Sequence, residues 1–201
     1  MTHEHTIAAG ALDEPSANEP KLSSLRDREW VPHVWPRLYE LADSDGPTQK
    51  LVAGIPSSDP AVFEQLLLSM SPPYQLLYVL HTPRGEGLPG RYQSSPLSAQ
   101  TMSDLLRRFS GLLSTDARFD LWVRSPTDGA MLVWDRHDRL HAYGPRQRWV
   151  TAFQRLNFAE GALPELREHV HHYRSNCDDE ARGLLGALAW LHAPLRPEDE
   201  Q

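Results

Sequence analysis

The chain has 201 residues, a formal net charge of −7, 40% hydrophobic and 23% charged residues, which is the size and balance of one ordinary globular domain. A chain of this length buries roughly 70% of its unfolded surface, so its core needs neither disulfide nor metal. The single cysteine, Cys177, excludes an intramolecular disulfide framework and a four-cysteine zinc site. The acidity argues against nucleic acid or an anionic membrane as a partner.

The first ten residues lack a basic leader, and Ile7–Leu12 is a short run of small apolar residues unlike a signal-peptide core. The strongest apolar run elsewhere, Leu76–Leu80, falls far short of the ~20 residues of a membrane helix. An unpaired cysteine suits a reducing compartment, so a cytoplasmic protein is expected. Residues 1–29 carry six acidic and three basic side chains with Pro15 and Pro20, which predicts a flexible acidic tail. Residues 30–196 are expected to form a single domain, and 197–201 a short acidic end. Between Tyr74 and Pro145 there are seven acidic and eight basic residues, so the acidity lies in the flanks.

Along the chain, Lys50–Pro56 predicts a short strand ended by proline. Ser58 or Asp59 can cap a following helix with Pro60 in its first turn. Val62, Phe63, Leu66, Leu67 and Met70 give that helix one apolar stripe. Tyr74–Thr82 predicts a central strand covered on both faces. Pro83–Gly90 reads as a mobile loop, and Arg91–Ser95 as a short edge strand. Ser98 caps a second helix whose apolar face runs from Met102 to Leu113. Phe119–Arg124, Ala130–Asp135 and Leu140–Tyr143 predict a three-stranded antiparallel meander, its first turn marked by Asp128-Gly129. A helix is expected over Gln147–Leu156. Pro164–Tyr173 fits either strand or helix, and Asp178 or Asp179 can cap a last helix through Trp190. The order predicts an α+β domain, mostly antiparallel, with helices on one or both faces.

Phosphate loops, dinucleotide fingerprints, the His-Glu-x-x-His pair and the Gly-x-Ser-x-Gly elbow are all missing from the sequence. Three segments carry chemistry-bearing residues. On a strand, His169 and His171 of His169-Val-His-His172 point the same way and can grip one zinc ion. Glu168 or Asp178 would offer an oxygen, and a third ligand would come from His137, His141 or Asp135. The same histidines also fit a solvated surface segment with Val170 turned inward. In Trp134-Asp-Arg-His-Asp-Arg-Leu-His141, an Asp-x-His pair from Asp135, His137 and His141 can orient an imidazole as a base. The same letters also suit a hairpin tip, with Asp138 supplying turn chemistry.

The third segment is the loop after the central strand, where Arg84 and Glu86 can line a recognition site. Trp122, Trp134, Trp149 and Trp190 read as core. Trp30 and Trp35, flanked by prolines, either pin the tail onto the body or anchor a partner. Cys177 reads as a structural thiol.

The run Leu132–Pro145, then His169–Tyr173 and Trp190–Asp199, resembles an uncharacterised family of small soluble bacterial proteins. The resemblance spans residues 50 to 200 and implies neither an activity nor catalytic residues. Two functions are therefore expected from different classes. One is a non-enzymatic protein-binding module without cofactor, of the immunity type, whose acidic surface steers it to another protein such as a basic toxin. The alternative is a small metal-dependent or His/Asp-based hydrolase built on Asp135, His137, His141 and the His169–His172 cluster, with zinc as cofactor.

Overall fold

The structure, a computed structural model, describes residues 20–42 and 50–199. Strands β1 (Leu22–Arg26) and β2 (Glu29–Pro32) pair with β11 (His169–His171) in a three-stranded antiparallel sheet of order β11-β1-β2. The main sheet has nine strands. Its centre is the expected meander, β7 (Phe119–Ser125), β8 (Ala130–Trp134) and β9 (Arg139–Tyr143). β4 (Lys50–Gly54) and β3 (Leu38–Ala42) extend it on one side, and β5 (Gln75–Leu80) and β6 (Gly90–Ser94) on the other. β12 (Trp190–Ala193) closes the edge beyond β6, and β10 (Ala159–Glu160) adds a parallel pair to β3.

Alternation decides which face is core. Leu76, Tyr78 and Leu80 of β5 lie opposite Val123, Leu121 and Phe119 of β7, and Leu132 and Trp134 of β8 continue the same rows. All are fully buried. Helices α1 (Pro60–Leu67), α2 (Ala99–Arg108), α3 (Ser110–Thr115), α4 (Arg146–Arg155) and α5 (Asp178–Ala187) direct their apolar residues into that one cluster. The helices therefore cover one face, while on the other Val79 and Val133 are also buried and the C-terminal turn with Asp199 packs alongside Arg91. Asp59 caps α1 through the Ala61 N–H and Ser98 caps α2 through the Thr101 N–H, as their sequences predict. No helix among the described residues is long and apolar enough to cross a membrane.

Four expectations change. Arg91–Ser95 is not at the edge, because Trp190–Ala193 leaves the last helix and pairs outside it. The long helix from Ser98 breaks at Phe109, whose ψ of 27° ends α2 before α3 begins. Residues 22–29 of the expected tail form β1, a turn at Asp27-Arg28 and the start of β2; residues 1–19 lie outside the described part. Of the expected acidic end, Pro197–Asp199 forms a single 3-10 turn with Asp199 buried against Arg91, and 200–201 lie outside it.

The small sheet is locked to the β8–β9 turn. Buried Lys21 places Nζ 3.3 Å from Asp138 Oδ1 and 4.0 Å over the Trp134 ring. Trp35 packs against Gly54 so closely that a Cβ there would sit 2.2 Å from the Trp35 Cβ. Its Nε1–H donates to the His137 carbonyl at 2.9 Å. These contacts bring β11 up to the hairpin that carries His137.

Candidate metal centre

The β8–β9 turn aims its two aspartates in opposite directions. Asp138, at φ +57°, turns its carboxylate into the core, where Trp134 Nε1, Ser58 Oγ and Lys21 meet it. Burial pushes the Asp138 carboxyl up despite Lys21 and these donors. Asp135 faces the other side of the sheet. Its Oδ1 accepts the backbone N–H groups of His137 and Arg139, both at 2.9 Å. Its Oδ2 lies 2.9 Å from His141 Nε2 and 3.8 Å from His137 Nδ1. Burial would raise this carboxyl, but His137 and His141 outweigh it and hold it below the usual carboxylate range.

The ambiguous segment Pro164–Tyr173 resolves as β11, which puts His169 and His171 on one side. His172 turns away to Ser23 Oγ at 2.8 Å. With His137 the two form a nearly equilateral triangle of imidazoles: ring centroids are 5.2 Å apart for His137–His169, 4.9 Å for His137–His171 and 5.1 Å for His169–His171. Three imidazoles bound at ~2.0–2.1 Å in tetrahedral directions place their centroids about 5 Å apart. One nitrogen from each ring lies within 4.8 Å of the others. Ring rotation would have to bring these to the roughly 3.3 Å that a shared zinc ion imposes.

The surroundings of the three rings differ. His169 Nδ1 sits 2.8 Å from the Arg167 carbonyl, which can only accept, so the proton is on Nδ1 and Nε2 keeps its lone pair. His137 Nδ1 faces Asp135 Oδ2 at 3.8 Å, beyond hydrogen-bond length, and a small shift of the ring would give the carboxylate–histidine pair common behind metal ligands. His171 Nε2 is buried with no hydrogen-bond partner in the protein. Burial first, then His137 and His169, bring the His171 pKa down to about 3.

Of the ligands weighed from sequence, His137 supplies the third position. Glu168 and Asp178 do not join the group, and Asp178 Oδ1 lies 2.9 Å from Arg118 instead. Among the described residues no fourth His, Cys or carboxylate completes the set. Asp135 and His141 stand behind His137 rather than beside the metal position.

A cleft of about 240 Å³ adjoins His137 on the sheet face away from the helices. Its floor is one row across the meander, Trp122 opposite Val133 and Val133 opposite His141. Lys50, Tyr143 and Asp120 flank the row, and Arg136, Glu198 and Asp199 form the rim. Asp120 accepts the Arg136 N–H at 2.8 Å, and its other oxygen lies 3.0 Å from His81 Nε2, outside hydrogen-bond alignment. Burial raises the Tyr143 hydroxyl pKa, with Asp135 adding to it.

The loop residues weighed as a recognition site are instead pinned. Glu86 is buried and pairs with Arg118 at 2.9 Å, and Arg84 pairs with Asp178 at 3.1 Å. Arg118, fully buried, also meets Asp116 at 2.8 Å. This network fixes the segment expected to be mobile. Trp35 is buried as a clasp, whereas Trp30 is half exposed on β2. Cys177 is buried beside Thr115 Oγ1 at 3.3 Å, and burial pushes its thiol pKa up.

No protein-family model, curated protein or solved structure matches this chain.

Proposed function

We propose that the protein is a metal-dependent hydrolase of small molecules, with one zinc ion held by His137, His169 and His171. The imidazole triangle of 4.9–5.2 Å edges carries this reading. Imidazole ligands suit zinc, and three protein ligands with a fourth position open are the pattern of catalytic rather than structural zinc. In such sites the ion acts as a Lewis acid and activates water. The chain's own contribution is to hold the rings: the Arg167 carbonyl orients His169, β1 fixes the register of β11, and the Asp135 carboxylate stands 3.8 Å behind His137 Nδ1. The adjoining cleft offers room for a substrate at the His137 side. A partner-binding role has less to stand on, because Glu86 and Trp35 are buried and Arg84 is engaged with Asp178.

Elemental analysis of purified, untagged protein after zinc reconstitution tests the centre. One equivalent of zinc is expected, lost in a folded His169→Ala/His171→Ala variant. Turnover of p-nitrophenyl acetate or bis(p-nitrophenyl) phosphate by the zinc form tests the activity. A protein that binds no metal overturns the whole reading. Stoichiometric zinc without turnover of either ester overturns the hydrolase and leaves the ion as a clamp between the two sheets.

A further inference from the structure

Two residues in the floor of the cleft carry buried polar atoms that find no partner in the protein: Trp122 Nε1 and His141 Nδ1. Their roles are opposite. An indole N–H can only donate. His141 gives its Nε2 hydrogen to the Asp135 carboxylate at 2.9 Å, which leaves Nδ1 as a bare acceptor. The two residues lie on the same sheet face, separated by Val133 in one cross-strand row, so their backbones are about 10 Å apart. Both atoms are closed to water in the empty cleft, so with a small turn of the two rings a bound group with an acceptor and a donor a few bonds apart would satisfy both.

The charges around the cleft select against ions. Its lining holds four carboxylates, of Asp120, Asp135, Glu198 and Asp199, against two cations, Lys50 and Arg136. Arg91 and Arg196 pair with Asp199 and Glu198 from outside the lining, so the charges balance and an ion of either sign finds no surplus of opposite charge. The carboxylates are already engaged: Asp135 with His141, Asp120 with the Arg136 N–H, Asp199 with Arg91, and Glu198 with Arg196 at 3.5 Å. A cation would have to break those pairs. We propose that this cleft is a binding site for a neutral carboxamide of the size of one peptide unit or two, its carbonyl accepting from Trp122 Nε1 and its N–H donating to His141 Nδ1. The site stands on its own residues and does not depend on the metal, although a ligand seated there would lie beside His137.

The test uses chelator-treated full-length protein labelled with ¹⁵N-tryptophan, which gives one indole signal for each of six tryptophans. Trp122→Phe assigns the Trp122 signal, and N-acetylglycinamide is the titrant. A saturable shift confined to the Trp122 indole is expected, with binding at least fivefold weaker in His141→Phe. The shift should persist in His169→Ala/His171→Ala, so that failure of the metal reading leaves it intact. Should His141→Phe not fold, the His141 ring nitrogens of ¹⁵N-histidine-labelled protein report the same contact, and their shift on titration is expected. An unmoved Trp122 signal, unchanged affinity in folded His141→Phe, or sodium acetate binding as tightly as the amide would each overturn the proposal.

Discussion

Asp135 Oδ2 sits 2.9 Å from His141 Nε2 and 3.8 Å from His137 Nδ1, so one carboxylate links the cleft to the candidate metal ligands. Its other oxygen is pinned by two backbone N–H groups of the same turn. The carboxylate is thereby held in place before either imidazole is positioned, as a ligand-orienting group requires.

Asp135→Asn keeps the size and removes the charge. Loss of the orienting carboxylate is expected to weaken zinc about 10–100-fold. Charge-assisted bonds to the turn are lost as well, so stability should fall by about 1–3 kcal/mol. Competition titration against a zinc chelator and urea unfolding measure the two effects separately.

Metal binding should also tie the sheets together, because His137 belongs to the β8–β9 turn and His169 and His171 to β11. At free zinc 100-fold above Kd the gain is about 2.7 kcal/mol, or roughly 5–10 °C in Tm for a chain of this size. Thermal melts with zinc and with excess chelator measure it. The difference should vanish in His137→Ala.

Arg118 is the hub of the loop network, with Glu86, Asp116 and Asp178 each within 2.9 Å. Arg118→Met leaves carboxylates without their buried counter-charge. A loss of about 3–5 kcal/mol is expected, measured by urea unfolding. Proteolysis should find new cuts in residues 83–89, since the Glu86 anchor is gone.

Asp128 fastens the β7–β8 turn to Ser71, in the segment after α1, and to Arg148 of α4. Its carboxyl is held below the ordinary 3.8 first by the Ser71 N–H, against the opposing effect of burial, and then by Arg148. A depressed carboxyl contributes stability above its unfolded pKa and loses it as pH falls through the folded value. Asp128→Asn should therefore be about 1–2 kcal/mol less stable than the parent near pH 7. The gap should narrow below about pH 4. Urea unfolding at several pH values checks both statements.

Much of the fold was legible in local pattern. The meander followed from alternation and Asp128-Gly129, with Gly129 at φ +59°. α1 and α2 followed from Asp59, Ser98 and their apolar stripes. β1 and β12 were not legible: Leu22-Ser-Ser-Leu-Arg26 has too few apolar residues to signal a strand, and Trp190–Ala193 adjoins a helix of similar composition. Both become strands because an edge of another strand offers hydrogen bonds. His169 and His171 were visible as a pair on one strand face, but Trp122 was read as core alone. Its paired alignment with Val133 and His141 is the signal that strand pairing supplies.

By itself, then, the sequence determined the α+β class, the central meander and two half-sites: an Asp/His hairpin tip, and two histidines two residues apart. Only the tertiary structure decided that these halves meet, that Asp138 turns inward while Asp135 turns to the cleft, and that Arg84 and Glu86 serve an internal network. The physical reason is range. Alternation and capping act over a few residues, whereas His137 and His171 are 34 positions apart in sequence and come together only through pairing of β11 with β1 and the locking of that sheet by Lys21 and Trp35.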